Sequence, residues 1–216
     1  MFTANEEKAI LAQGELLSTA MEHFYLEEIG IESVLLPALN FMRIDENDEP
    51  DLKYIEENLK AELKKYPGKK LFITQGYICR NAFGEIDNLK RGGSDYTATI
   101  IGAAITSEEI QIWTDIDGMH NNDPRIVEKT FPVTELSFEE AAELAYFGAK
   151  ILHPTCVIPA KRKNVPVRLL NTMEPNAKGT VITKKSPGNR ITAVAAKDGI
   201  IAINIKSARM LLAYGF

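Results

Sequence analysis

Cysteine is scarce in this 216-residue chain, and the two that occur, Cys79 and Cys156, form no Cys-x-x-Cys pair and show no Cys/His ligand spacing. That argues against a disulfide framework and a structural zinc, and it suits a reducing compartment. Long apolar runs are lacking too, and none has the length a helix needs to span a bilayer. The opening Met1-Phe2-Thr3-Ala4-Asn5-Glu6-Glu7-Lys8 has no basic region followed by an apolar core, so no secretory signal is read there. Positive charge is not in excess: 25 Lys and Arg against 30 Asp and Glu leave a net charge of -5. Nucleic-acid backbones are met by clustered cations, so the balance has the wrong sign for that partner. The basic run Lys161-Arg162-Lys163 is read as the solvated end of a helix. The simplest expectation is a cytoplasmic protein with neither a membrane nor a nucleic-acid partner.

What is present is the composition of an ordinary globular protein, 45% apolar and 25% charged, in a chain long enough to bury a sizeable core in one main domain. Apolar residues at helical spacing predict a helix over 5–29, and Gly30 stops the pattern before a short strand at Ser33 to Leu36. A loop at 37–50 leads to a second helix over 51–66 and a strand from Lys70 to Thr74. Tyr77 to Leu89 reads as a hairpin around Asn81-Ala82-Phe83-Gly84. A helix from about Asp95 to Ile105, a strand from Ile110 to Thr114 and a loop through Arg125 follow. Ser137 with Glu140 forms a capping box for a helix running to Phe147. A further helix at about Thr155 to Lys163 precedes strands at Val165 to Leu170 and Thr180 to Thr183. Alternation of this kind predicts an α/β sandwich with a largely parallel central sheet.

Composition shifts near Asn171. Pro, Gly, Asn and Lys crowd Asn171 to Gly179 and Lys184 to Asn189, which reads as a linker around the short strand. Beyond it, strands at Ile191 to Ala195 and Ile200 to Ile205 flank Lys197-Asp198-Gly199, and Ser207 to Tyr214 opens a helix.

The segment with the clearest chemistry is Lys90-Arg91-Gly92-Gly93-Ser94-Asp95-Tyr96-Thr97-Ala98. Its glycines let backbone approach a ligand closely, and Ser94 or Asp95 is expected to cap the helix that follows. The helix N-terminus favours a carboxylate or phosphate, and Arg91 adds a planar fork of donors. Companions lie downstream: Gln111-Ile112-Trp113-Thr114-Asp115-Ile116-Asp117-Gly118, then Asn122-Asp123-Pro124-Arg125, then Phe147-Gly148-Ala149-Lys150-Ile151-Leu152-His153-Pro154. Upstream stand Gly14-Glu15-Leu16-Leu17-Ser18 and Thr74-Gln75-Gly76-Tyr77-Ile78.

In this order and at these separations the segments resemble the aspartokinases of the amino-acid kinase family, over nearly the whole chain. The resemblance implies a three-layer α/β sandwich, with a partial catalytic domain at 1–183. Residues 184–216 would then be a linker and the beginning of an ACT-like α+β regulatory domain. It implies transfer of the ATP γ-phosphate to the side-chain carboxylate of L-aspartate, the entry to lysine, threonine and methionine synthesis. Mg2+ would be held mainly by the nucleotide phosphates. Carried over position by position, Glu15, Arg91, Gly92, Gly93 and Ser94 contact aspartate and Asp95 organises the transfer centre. Thr114, Asp115, His120, Arg125, Lys150 and Ile151 border the nucleotide. An end-product amino acid is the implied inhibitor, and a homodimer or higher homo-oligomer the implied assembly.

Each residue also has a plainer reading: Glu15 as an exposed helical side chain, Asp95 as a cap, Asp115 as a turn residue and Lys150 as a cation complementing a helix C-terminus. His153 is read as a structural hydrogen-bonder, because transfer to an ionised carboxylate requires no base. Lys90 and His120 depart from the family pattern, which commonly has glycine and tyrosine there. Nowhere does the chain contain the family's Lys-Phe-Gly-Gly-Thr-Ser phosphate loop. The expectation is therefore a fragment that binds ligands without turning over. Another carboxylate or carbamate kinase of the same fold, or a non-catalytic amino-acid-binding fragment, are the rival readings.

Overall fold

The computed structural model describes residues 3–90, 92–123, 126–147, 152–185, 188, 191–196, 199 and 201. The first helix, α1 (Ala4–Glu28), starts at Thr3, whose hydroxyl accepts from Glu6 N at 3.2 Å while the Glu6 carboxylate accepts from Thr3 N at 2.7 Å. It ends before Gly30, where φ is +80°. A βαβ unit follows: β1 (Val34–Leu36), α2 (Leu52–Lys64) capped by Asp51, and β2 (Phe72–Thr74), with β1 and β2 parallel. The expected hairpin is present as β3 (Ile78–Arg80) against β4 (Ile86–Asn88), its turn held by Asn81 Oδ1 accepting from Phe83 N and Glu85 N at 3.0 Å each.

Helix α3 (Gly93–Ile105) then leads to β5 (Ile110–Thr114). After a long loop come β6 (Glu135–Ser137), α4 (Phe138–Phe147), α5 (Val157–Lys163), β7 (Val167–Asn171) and β8 (Thr180–Thr183). The order of the larger sheet is β5-β7-β8-β6, parallel at β5/β7 and β6/β8 and antiparallel at β7/β8. This is the α/β architecture expected, with a mixed, largely parallel sheet. The capping box also forms, with Glu140 N donating to Ser137 Oγ at 3.1 Å and Ser137 N to Glu140 Oε2 at 2.8 Å.

Three details depart from the sequence reading. Strand β6 was not anticipated. The segment before α5 opens as a 3-10 turn at Pro154–Cys156. No strand forms at 191–195: Val194 N bonds Asn121 O at 2.8 Å and Thr192 Oγ1 bonds Glu140 Oε1 at 3.2 Å, with Ile191 88% exposed. An apolar β-branched run makes a strand only where a partner edge meets it, and here isolated contacts take that place. The expected strand at Ile200 to Ile205, apart from Ile201, and the helix at Ser207 to Tyr214 lie outside the described residues.

Two apolar clusters fill the interior. One gathers Leu36, Phe41, Ile44, Ile55, Leu59 and Ile78 between α1, α2, α3 and the first four strands. The other gathers Ile112, Met119, Leu136, Phe138, Leu169 and Ile182 around the larger sheet. Each full burial of such a side chain contributes about 1.5–3 kcal/mol. Tyr96, in the first turn of α3, packs against both clusters, so the glycine loop is seated where the two halves of the core meet.

Candidate active site

Gly92 is the N-cap of α3 and adopts the left-handed region, φ +80°, with no side-chain cap. Ser94 and Asp95 therefore do not cap the helix, as the sequence suggested; they lie inside its first turn. The reason is geometric: a capping side chain needs an extended backbone at the N-cap, and the left-handed glycine turns the chain before either residue reaches that place. The first-turn N-H groups are thus left without a side-chain cap, the arrangement that suits an anion. Gly92 also has no room for a side chain, because a Cβ there would sit 2.2 Å from Cys156 Sγ and 3.4 Å from His153 Cβ. The buried Cys156 thiol donates to Gly92 O at 3.8 Å, and burial, then the charge of Asp95, pushes its pKa up to about 12. It acts as a packed thiol under the loop.

Glu15 reaches the same place from α1. Its half-buried carboxylate accepts from Gly76 N at 3.2 Å, and Gly76 lies against Ser94: a Cβ on Gly76 would meet Ser94 Oγ at 2.6 Å and Ser94 Cα at 3.0 Å. The backbone then makes a tight turn, with Ile78 N donating to Gly76 O at 2.7 Å and Tyr77 at φ +66°. A three-residue turn of this hand is rare and strained. It is held by Tyr77 N donating to the buried Thr97 Oγ1 at 3.0 Å and Leu89 N to Tyr77 O at 2.8 Å. Gln75, 2% exposed, accepts from Ala38 N at 2.8 Å and donates to Thr19 Oγ1 at 2.7 Å; Thr19 Oγ1 in turn donates to Glu15 O at 2.7 Å. Gln75, Gly76 and Tyr77 thus shape the candidate site, although the sequence named their segment without giving them roles. A polar Gln directly after an apolar strand and before a glycine was the available signal.

Asp95 is half-buried, and burial raises its pKa above the usual carboxylate range. Among the described residues it has no hydrogen-bond or ion-pair partner. A half-buried carboxylate whose pKa is raised in the first turn of a helix is a candidate functional group. Lys90 forms an exposed ion pair with Asp48, in a turn where Asp48 has φ +63°. Arg91 lies outside the described residues.

The residues assigned to a nucleotide form a second group. Thr114 ends β5, where open α/β sheets place ligands; its hydroxyl accepts from Ile116 N at 3.1 Å and its carbonyl from Thr172 N at 2.8 Å. Asp115 is exposed beside it. Both ring nitrogens of His120 are engaged, Nε2 with Asp117 Oδ1 and Nδ1 with Thr130 Oγ1, each at 2.7 Å. That removes the ring N-H as a donor to a ligand. Arg125, Lys150 and Ile151 lie outside the described residues. His153 is structural, its Nδ1 accepting from Thr155 N at 3.3 Å at the start of the 3-10 turn.

The described residues therefore bring Glu15 and Ser94 together at Gly76, with Gly92, Gly93 and Asp95 at the same helix start, and place Thr114 and Asp115 at the end of β5 with His120 in the loop that follows. A family model described as "Amino acid kinase family" matches residues 2–171. Among curated proteins, "Aspartokinase 3, chloroplastic" of Arabidopsis thaliana is 37% identical across 99% of this chain and 40% of its own length. "Lysine-sensitive aspartokinase 3" of Escherichia coli is 34% identical across 96% of this chain and 47% of its own. Among solved structures, E. coli aspartokinase III in complex with aspartate and ADP superposes with a TM-score of 0.80 at 34% identity, covering 87% of this chain and 42% of that one. The chain thus spans less than half the length of these relatives.

Proposed function

Since the chain belongs to the amino acid kinase family, its family model covering residues 2–171, we propose that it carries the substrate-holding part of an aspartate kinase. The reaction transfers the γ-phosphate of ATP to the side-chain carboxylate of L-aspartate, giving aspartyl-4-phosphate at the entry to lysine, threonine and methionine synthesis. The observation that carries this reading is the glycine-capped N-terminus of α3, without a side-chain cap, facing Glu15 across Gly76. L-Aspartate has two carboxylates and one ammonium, so its site needs an anion cradle and an anion of its own. The first turn of α3 with Arg91 supplies the cradle, and Glu15 supplies the counter-charge for the ammonium.

Phosphoryl transfer asks mainly for alignment and neutralisation of the moving phosphate. Asp95, desolvated within the same first turn, is the residue assigned to the transfer centre. Thr114, Asp115, His120, Arg125, Lys150 and Ile151 are assigned to ATP. A Mg2+ ion would be carried largely on the nucleotide phosphates. The E. coli relative is named lysine-sensitive, and an end-product amino acid is the proposed inhibitor here. No helix among the described residues is long and apolar enough to cross a membrane; a cytoplasmic location belongs to the same reading, alongside a relative whose name says chloroplastic.

Isothermal titration tests the assignment. L-Aspartate should bind, and Arg91→Lys should weaken it by about ten- to a hundredfold, because an ammonium cannot reproduce a bidentate fork and a charge-assisted bond is worth ~1.5–3 kcal/mol. ATP binding should be unchanged in that variant. Equal losses for both ligands would sink the reading.

A further inference from the structure

One side of α1 carries a row of polar anchors. Lys8, Glu15 and Thr19 follow one another at seven and four residues, so they share a face of the helix, with the buried Ala12 between the first two. Thr19 Oγ1 accepts from Gln75 Nε2 at 2.7 Å, Glu15 accepts from Gly76 N at 3.2 Å, and Lys8 Nζ donates to Asp87 Oδ2 at 2.5 Å. Asp87 lies in β4 and is only 3% exposed, and its other oxygen accepts from Asn88 N at 2.8 Å. Glu15 therefore stands between two side-chain anchors, one to the residue that follows β2 and one to β4. Along the axis Lys8 is about 10 Å from Glu15, seven residues at roughly 1.5 Å each.

A buried ion pair is a poor source of net stability, because desolvation of the charges offsets their attraction; its best-attested use is to fix a register. Helix α1 needs such a device. Ala12 is the one fully buried residue among its 25, and apolar contact is non-directional, so burial alone does not set how far the helix lies along the hairpin. We infer that Lys8 and Asp87 are positioning residues for Glu15: their ion pair sets α1 axially on β4, so that the Glu15 carboxylate meets Gly76 N. Strand β4 is the right reference for that purpose. Two residues beyond Asp87, Leu89 N donates to Tyr77 O at 2.8 Å, and Gly92, the N-cap of α3, follows three residues later. Asp87 is thus joined through one short strand to the 76–77 turn and to the start of α3. A shift of α1 against β4 is a shift of Glu15 against both.

Hydrogen exchange of the 15N-labelled chain, without ligand, is the test. Lys8→Met combined with Asp87→Leu removes both charges together, leaves no buried charge unpaired and should keep the thermal melt close to the parent's. The Gly76 amide should then exchange about threefold faster or more, while amides of β5 and β7 hold their rates. Glu15→Gln should speed Gly76 in the parent, since a neutral acceptor holds the amide more weakly, and should add little in the double variant. Lys8→Arg, which keeps the charge, should leave Gly76 slow. Asp87→Asn is the second variant: Lys8, its side chain 27% exposed, can then turn to water, and Gly76 should again exchange faster. Exchange at Gly76 that is unchanged without the pair, or that rises only in step with β5 and β7 as a purely stabilising pair would make it, overturns the inference. The consequence for ligand rests on the proposed function: the double variant should bind L-aspartate about three- to tenfold more weakly, with ATP binding unchanged. Failure of the unaltered chain to bind L-aspartate would count against that function, and exchange at Gly76 would still decide the role of the pair.

Discussion

Asp95 carries two opposing consequences of one burial. Its carboxyl is raised by desolvation and gains no compensating hydrogen bond among the described residues, so the ionised form is destabilised in the folded chain. The folded state therefore binds this proton more tightly than the unfolded state does. The associated stability is fully present below the unfolded pKa of 3.8 and is lost as pH rises through the elevated folded value. Asp95→Asn should consequently melt higher than the parent at pH 7 and no higher near pH 3, while losing any part in phosphate transfer; scanning calorimetry at the two pH values checks the sign. At Gly92 the left-handed φ and the thiol beneath it are separate obstacles. Gly92→Ala should cost about 2–5 kcal/mol, combining backbone strain with overpacking. Cys156→Ala in the same background should recover part of that loss, and a double-mutant cycle in urea measures the recovery. Glu15, Gly92, Ser94 and Asp95 could be picked out in the sequence as candidates because the motifs around them resemble those of the family. The parts of Gln75, Gly76 and Tyr77 could not, since each depends on contacts with α1 or α3 that are distant along the chain.

Among the elements, the site depends on how α1 is fixed to the end of β2. Gln75 makes that link through Thr19 on one side and the backbone of Ala38 on the other. Gln75→Leu would leave the buried Ala38 N-H without its acceptor, and each stranded group of this kind costs about 1–3 kcal/mol. Thr19→Val should cost ~1 kcal/mol alone and little more when added to Gln75→Leu, since both break one shared bond. Additive losses in urea denaturation would contradict the link. Helix α2 and the β3/β4 hairpin could be read from helical spacing and from Asn81 to Gly84, because their signals are local. Strand β6 could not, having three residues of which Glu135 is exposed. The segment 191–195 misled in the other direction: its apolar residues suit a strand, but among the described residues no neighbouring edge pairs with it.

For the whole molecule, binding and turnover are expected to separate. The 216 residues contain no Lys-Phe-Gly-Gly-Thr-Ser, so the backbone donors and lysine that would neutralise the phosphates in the family pattern are not among them. Loss of a single preorganised donor can cost about 100- to 1000-fold in rate. A coupled ADP-release assay with L-aspartate, ATP and magnesium should accordingly show no turnover by this chain, and readily measured turnover would contradict that expectation. The central claim is narrower: the loop at 75–77, Glu15 and the first turn of α3 form one site for L-aspartate. A titration of the 15N-labelled chain with L-aspartate, followed by amide chemical shifts, tests it most directly. The account predicts saturable shifts concentrated at Gly76, Gly92, Gly93 and Ser94, lost in Glu15→Gln, while amides of the distant β6 and β8 stay still. Shifts absent from those four amides, or unchanged by Glu15→Gln, would contradict it.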